Sequence, residues 1–459
     1  MRPFTSLTPA LVALSALAIS SGVQAGTFPD FGFKPSDEEY TGKLFTLSQD
    51  YPKQLPTELP AFFKQLPKDF SNDFESWREY MTAVKDYCLE GNLQKNWTEN
   101  PVRGWYHMPW QHYGPMGREA INGLTKEAQI QKGQLAASQT TTGQTYAVGV
   151  YNDFGGYTIG QVWQDPQNPD PSHTAKPHSF PNGTVVCKAL FADVDRSQVP
   201  FLQNPVLWKG YITDTYESAK RVVRDVALIQ MDIAVRDTRV KETGWLFGTF
   251  QYNGENAKAA SWDNLVPVGI MWGNDPEDTQ SSGGTWDGSK TPINQALKET
   301  AINAKPELPP THLGWNGRLN GPVDNPVSSC LSCHMTAEAP QLAIMNPTFQ
   351  SPNNQPAPGS AEWMKWFANI PAGESFSALY PETVPEQAKG TSTFSTDYSL
   401  QLAIGIQNFY DWKCNQSGVF VNGDNLCKKT GKLKGHRLGT TPSDFIQPIR
   451  RDGNLSNLQ

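Results

Sequence analysis

Between residues 71 and 92, in SNDFESWREYMTAVKDYCLEGN, the apolar positions Trp77, Met81, Val84 and Cys88 recur at spacings of four, three and four. Those spacings put all four on one face and predict an amphipathic helix. Asn72 and Glu75 stand in the N-cap and N3 relation, and Gly91 supplies the stop. From about Tyr146 the period changes to two. YAVGVYNDFGGYTIGQVW predicts two strands joined by a glycine-containing turn, and GTVVCKALFADVD a third. In VALIQMDIAVRD, Ile229, Met231, Ile233 and Val235 alternate with Gln230, Asp232 and Arg236, the pattern of a half-buried strand. GWLFGTFQYNG, residues 244 to 254, predicts another strand, and NLVPVGIMWGND, residues 264 to 275, one more, bent by Pro267.

Around this core the pattern is irregular. The proline-rich stretch from Gly26 to Lys68 is expected to wrap a surface. Residues 276 to 327 are rich in Gly, Ser, Thr, Pro and Asn, with one short helix expected at INQALKETAINAK. Near the C-terminus, EWMKWFANI and LQLAIGIQNFYDW predict helices. The fold class is therefore α+β, a β-rich central antiparallel sheet with peripheral helices and long loops. The expected organisation is a signal peptide at 1–25, a proline-rich and helical region at 26–135, a β-rich region at 136–345, and a helical and loop region at 346–459. No internal repeat is present.

Composition narrows the function. A formal charge of −7 with no basic cluster excludes a nucleic-acid footprint. The only long apolar run, ALVALSALAI from Ala10 to Ile19, has about half of the ~20 residues a spanning helix needs. With Arg2 before it and Val23-Gln24-Ala25 after it, it reads as a cleaved export signal, leaving Gly26 as the first mature residue. A periplasmic location follows as an expectation.

Export changes what cysteines do, because thiols tend to oxidise outside the cytoplasm. Of the six, Cys414 and Cys427 bracket a turn-like segment and are expected to pair. Cys88 and Cys187 then pair by elimination, with two buried thiols as the alternative. The remaining two lie in SSCLSCHMTAEAP, where Cys330, Cys333 and His334 spell Cys-x-x-Cys-His. That is the attachment signal of c-type haem. Residues i and i+3 share a helical face, so two thiols reach one macrocycle edge. The following imidazole then becomes the proximal ligand of the iron. Chance yields such a signal on the order of one time in a thousand for this composition. A structural zinc site would want a second close ligand pair, and a thioredoxin-like dithiol a βαβ setting; neither surrounds the motif.

The residue opposite His334 is open. Met345, Met364, His107, His112 and His436 are candidates, as is a five-coordinate iron. WYHMPWQHYG, residues 105 to 114, is an aromatic–histidine cluster that reads as ligation or as a packed core with hydrogen-bonded histidines.

SCLSCH resembles the haem-binding segment of c-type cytochromes. WYHMPWQHYGPMGREAINGLTKE, GGYTIGQVWQDPQNPD, TGWLFGTFQYNG, LVPVGIMWGNDP and LNGPVDNPVSSCLSCH resemble a group of exported bacterial cytochrome c family proteins across about half the chain. FPNGTVVCKALF, GWLFGTF and a haem motif after the strands are similar to β-sheet c-type cytochromes. That class includes cytochromes c′-beta and hydroxylamine oxidisers with a lysine–haem crosslink. The resemblance implies Lys188 as the matching lysine and an open distal position.

The function expected is a monohaem cytochrome that binds one covalent haem c iron and transfers electrons to a redox partner protein. The alternative is an open iron site that binds gas or acts as a haem-dependent oxidoreductase. A third option, a tryptophan-rich sugar-binding protein without haem, rests on composition alone.

Overall fold

Helix α1 (Phe74–Leu89) lays Trp77, Met81, Val84 and Cys88, all without solvent exposure, against one face of a sheet. Gly91 closes it with a left-handed φ of 81°, as the stop position requires. The coordinates, a computed structural model, describe residues 28–65, 74–92, 99–113, 117–216, 218–280, 293–305, 308–309, 311–347, 355–384 and 388–417. The expected export segment, Asn72, Cys427 and His436 lie outside them, as does the side chain of Cys414.

The sheet has eight antiparallel strands: β1 (Thr125–Ile130), β2 (Gly143–Tyr151), β3 (Val185–Asp193), β4 (Leu207–Thr213), β5 (Arg221–Arg236), β6 (Trp245–Tyr252), β7 (Leu265–Met271) and β8 (Thr300–Ile302). The order is β1-β2-β3-β5-β6-β7-β8, with β4 pairing the first half of the long β5. The β-rich, antiparallel α+β architecture is the one the alternating pattern predicts. Pro267 sits opposite Phe250 where the β6–β7 register shifts, so the expected bend is a bulge that spares a missing N–H.

Both faces of the sheet are covered, and β5 departs from the half-buried reading for that reason. Ile229, Met231, Ile233 and Val235 pack into the α1 side. On the other side, Ala234, Trp245 and Phe247 meet a second cluster that includes Trp315, Trp363, Trp366 and Phe367 from the later chain. Gln230, read as a polar outward position, is completely buried.

Two local expectations are corrected. After β2 the chain forms helix α2 (Asp153–Val162), not a second strand. Asn152 caps it, accepting the Gly155 N–H at 3.3 Å. Gly155 and Gly156 make no turn; Cβ atoms there would come within 2.8 Å of Tyr151 and 2.5 Å of Tyr106, so the glycines let α2 lie on those rings. The INQALKETAINAK segment is not helical. The Asp275 carboxylate takes the backbone N–H groups of Lys298 and Glu299, and Thr300–Ile302 pairs with β7 as an edge strand. The C-terminal expectations hold as one helical turn at Ala361–Met364 and a long helix here labelled α4 (Leu400–Ser417).

Cys88 and Cys187 are joined by a disulfide that ties α1 to β3. Among the described residues no helix is long and apolar enough to cross a membrane.

Candidate functional site

CLSCH forms a short helix, α3 (Cys330–His334). A helix of five residues cannot hold itself, and its ends are pinned from outside. Ser329 is the N-cap: its hydroxyl accepts the Ser332 N–H at 3.0 Å, while the Ser332 hydroxyl accepts the Ser329 N–H at 2.6 Å. The Ser329 hydroxyl also donates to Asn274 Oδ1 at 2.8 Å. Asn274 is held in turn by Arg318, a fully buried guanidinium that donates to the carbonyls of Asn274, Asp275 and Asp278. After α3, Glu338 is buried and accepts from Ser375, Ser377 and the Ala343 N–H.

This clamping sorts the side chains. Leu331 and Ser332 point into the interior, while Cys330, Cys333 and His334 all line one cavity. The space they line measures about 1290 Å³ with the open solvent at its mouth included. Its opposite wall is the sheet, through Tyr151, Val186, Ala234, Trp245 and Phe247; Met345 and α4 close its side through Gln401 and Ile404.

His334 is oriented as a ligand. Its Nδ1–H donates to the Tyr398 carbonyl at 2.8 Å, and its ring stands 4.8 Å from that of Phe247. With Nδ1 carrying the proton, Nε2 presents its lone pair. Burial pulls the imidazole pKa down to about 4, leaving the ring neutral at neutral pH.

The thiols are not bonded to each other. Burial, then the negative charges of Asp232 and Asp324, push the Cys330 thiol well above its ordinary value; burial, with a smaller push from Asp324, takes Cys333 to about 11. Both are therefore protonated at neutral pH. A reactive thiolate needs an electropositive setting, and this one is electronegative, so a dithiol redox site does not fit. Among the described residues no group of three or more His, Cys, Asp or Glu side chains could hold a metal ion. Two thiols free of a disulfide, an imidazole whose Nδ1–H is engaged and a cavity that all three line fit a covalently held haem.

The sheet adds a feature not read from the sequence. Lys188, Asp232 and Thr249 lie directly across β3, β5 and β6 from one another. The Thr249 hydroxyl donates to Asp232 at 2.9 Å and lies 3.8 Å from Cys330 Sγ. Lys188 pairs with Glu127 at 3.3 Å, and Gln230 Nε2 bridges Asp232 and Asp324 at 2.9 and 2.8 Å. Burial and the nearby Asp324 raise the Asp232 carboxyl to about 7, against the pull of Lys188. Lys188 loses through burial but gains more from Glu127, Asp232 and Asp324, so its pKa rises. Two signals were available beforehand: the resemblance that implied Lys188, and an aspartate inside the apolar run VALIQMDIAV.

Of the candidate ligands opposite His334, Met345 lines the cavity. His107, His112 and Met364 are buried elsewhere. His107 Nδ1 accepts the Ser48 N–H at 3.1 Å, and its ring stands edge-on to Phe45. His112 Nδ1 bonds Thr125 Oγ1 at 3.2 Å. Burial, with Arg118 nearby, drops His107 to about 3 and holds His112 well below its ordinary value. The described residues of the WYHMPWQHYG cluster are thus packed core, and among them only Gln111 lines the cavity.

No protein-family model, no curated protein and no solved structure matches this chain.

Proposed function

We propose that the protein is an exported, periplasmic monohaem c-type cytochrome that transfers single electrons. The observation that carries the reading is that Cys330, Cys333 and His334 line one cavity, with the two thiols not bonded to each other and the His334 Nδ1–H held by the Tyr398 carbonyl. Cys330 and Cys333 would hold the haem through thioether bonds, and His334 would ligate its iron. When bound, the group supplies the Fe(II)/Fe(III) couple. The chain's own part is to exclude water with the aromatic wall of Trp245, Phe247 and Tyr398, to keep the imidazole neutral, and to fix its tautomer through Tyr398.

The experiment is a pyridine haemochrome spectrum of the purified, exported protein. A covalent c-type signature that is lost in Cys330→Ala/Cys333→Ala supports the reading; its absence from the wild type rejects it.

A second reading, a gas-binding or haem-dependent oxidoreductase site with an open position opposite His334, is favoured by one observation. Lys188, Glu127, Asp232 and Asp324 line the same cavity, and a simple carrier does not need an acid–base group there. Carbon monoxide binding by the reduced wild-type protein would support it, and failure to bind would reject it.

A further inference from the structure

Two consecutive non-glycine residues, Asp397 and Tyr398, have left-handed backbones, with φ of 49° and 66°. Such backbones are sparsely populated and persist only where the surroundings over-determine them. Here the surroundings are visible. The Asp397 side chain is completely buried, and its carboxylate accepts three N–H groups: Phe180 at 2.6 Å, Gly373 at 3.0 Å and Trp245 Nε1 at 3.2 Å. The Asp397 N–H donates to the Ser395 hydroxyl at 3.0 Å, and the Tyr398 hydroxyl donates to the Ile370 carbonyl at 2.6 Å. Just upstream, Thr396 N–H bonds the Ala337 carbonyl at 3.0 Å, and a two-residue ladder pairs Phe394–Ser395 with Glu338–Ala339. The strained turn is therefore fastened to the sheet through Trp245, to the loop before β3 through Phe180, and to the chain that leaves α3. Its product is a single carbonyl, that of Tyr398, aimed at His334 Nδ1.

The geometry points to Asp397 as the positioning residue for the proximal histidine: it holds the Tyr398 turn against its preference and so fixes the imidazole's tautomer, orientation and donor strength. This rests on His334 being the iron ligand. A hydrogen bond accepted from Nδ1–H makes the ring more basic and favours Fe(III). Asp397→Asn keeps the shape and tolerates a left-handed backbone, but it places an amide NH₂ among three N–H donors. The turn relaxes and the carbonyl no longer meets Nδ1–H squarely.

The test compares wild type, Asp397→Asn and the milder Trp245→Phe, which removes one donor to the carboxylate. Samples are normalised for covalent haem by haemochrome spectrum. In Asp397→Asn we expect the Fe(II)/Fe(III) ratio at a fixed ambient potential to rise about tenfold, a midpoint shift of about 60 mV. The iron–imidazole stretching band should fall, and Trp245→Phe should shift both readouts the same way by less. Haem-loaded Asp397→Asn with unchanged potential and unchanged band overturns the inference; if that variant does not fold, unchanged values in Trp245→Phe overturn it. Nitrogen-15 spectra of the His334 ring in haem-free protein separate this from failure of the haem reading. A proton fixed on Nδ1 in the wild type, and a tautomer mixture in the variants, supports the positioning role even if no haem is found. An unchanged ring spectrum in the variants counts against it.

Discussion

Lys188 stands directly across the β3–β5 pairing from Asp232, the only ammonium among the described residues facing a cavity wall that also carries Glu127 and Asp324. Three carboxylates share one cation beside the Cys330 thiol. In its folded setting Asp232 holds its proton to about pH 7, against 3.8 as its ordinary value. Between those limits the native state binds more protons than the unfolded chain, so this group's contribution to stability declines as pH rises from about 4 to about 7. Asp232→Asn removes that slope. In urea titrations, the variant should gain on the wild type steadily between pH 4.5 and 7.5; a constant difference would refute it.

The Cys88–Cys187 bond closes a loop of 99 residues between α1 and β3. Long loops gain most from such a crosslink, and losing a native disulfide costs about 2–5 kcal/mol. Cys88→Ala/Cys187→Ala should show that loss in chemical denaturation. Reductant should lower the stability of the wild type toward that of the variant.

Among the described residues, Met345 is the candidate ligand that lines the cavity. In the carrier reading it fills the position opposite His334. Met345→Ala should then retain covalent haem, change the ferrous absorption from low-spin to high-spin, and bind carbon monoxide where the wild type does not. An unaltered spectrum would remove Met345 from this role.

Gly314 lies where a Cβ would come within 1.9 Å of the Ser328 carbonyl oxygen, the atom that accepts the Trp315 N–H beside the Ser329 cap. The clash is with backbone, so the loop before α3 must move. Gly314→Ala should cost about 1–3 kcal/mol and lower covalent haem content per polypeptide. Equal loading and stability would show that the loop yields freely.

Legibility differed by kind of element. The α1 face of Trp77, Met81, Val84 and Cys88 was readable because helical period and burial coincide there. β1 (TKEAQI) and β4 (LWKGYIT) carry no comparable apolar alternation and take their conformation from pairing with β2 and β5. The glycines at 155 and 156 misled because a turn and a close helix-to-tyrosine approach ask for the same residue. The aromatic–histidine cluster could be read as ligation or as packed core; the Ser48 N–H, the Phe45 ring and the Thr125 hydroxyl, which meet His107 and His112, decide for the interior.

By itself the sequence determined the alternating strands, the α1 face and the Cys330–Cys333–His334 triplet. These depend on neighbours within a few positions, where backbone geometry dictates which side chains share a face. Tertiary structure alone decided which carbonyl meets His334, that Lys188, Glu127, Asp232 and Asp324 share a wall with Cys330, and that Met345 reaches the cavity while Met364 does not. Those contacts join residues up to two hundred positions apart. They arise from strand register and long-loop packing, which no local period encodes.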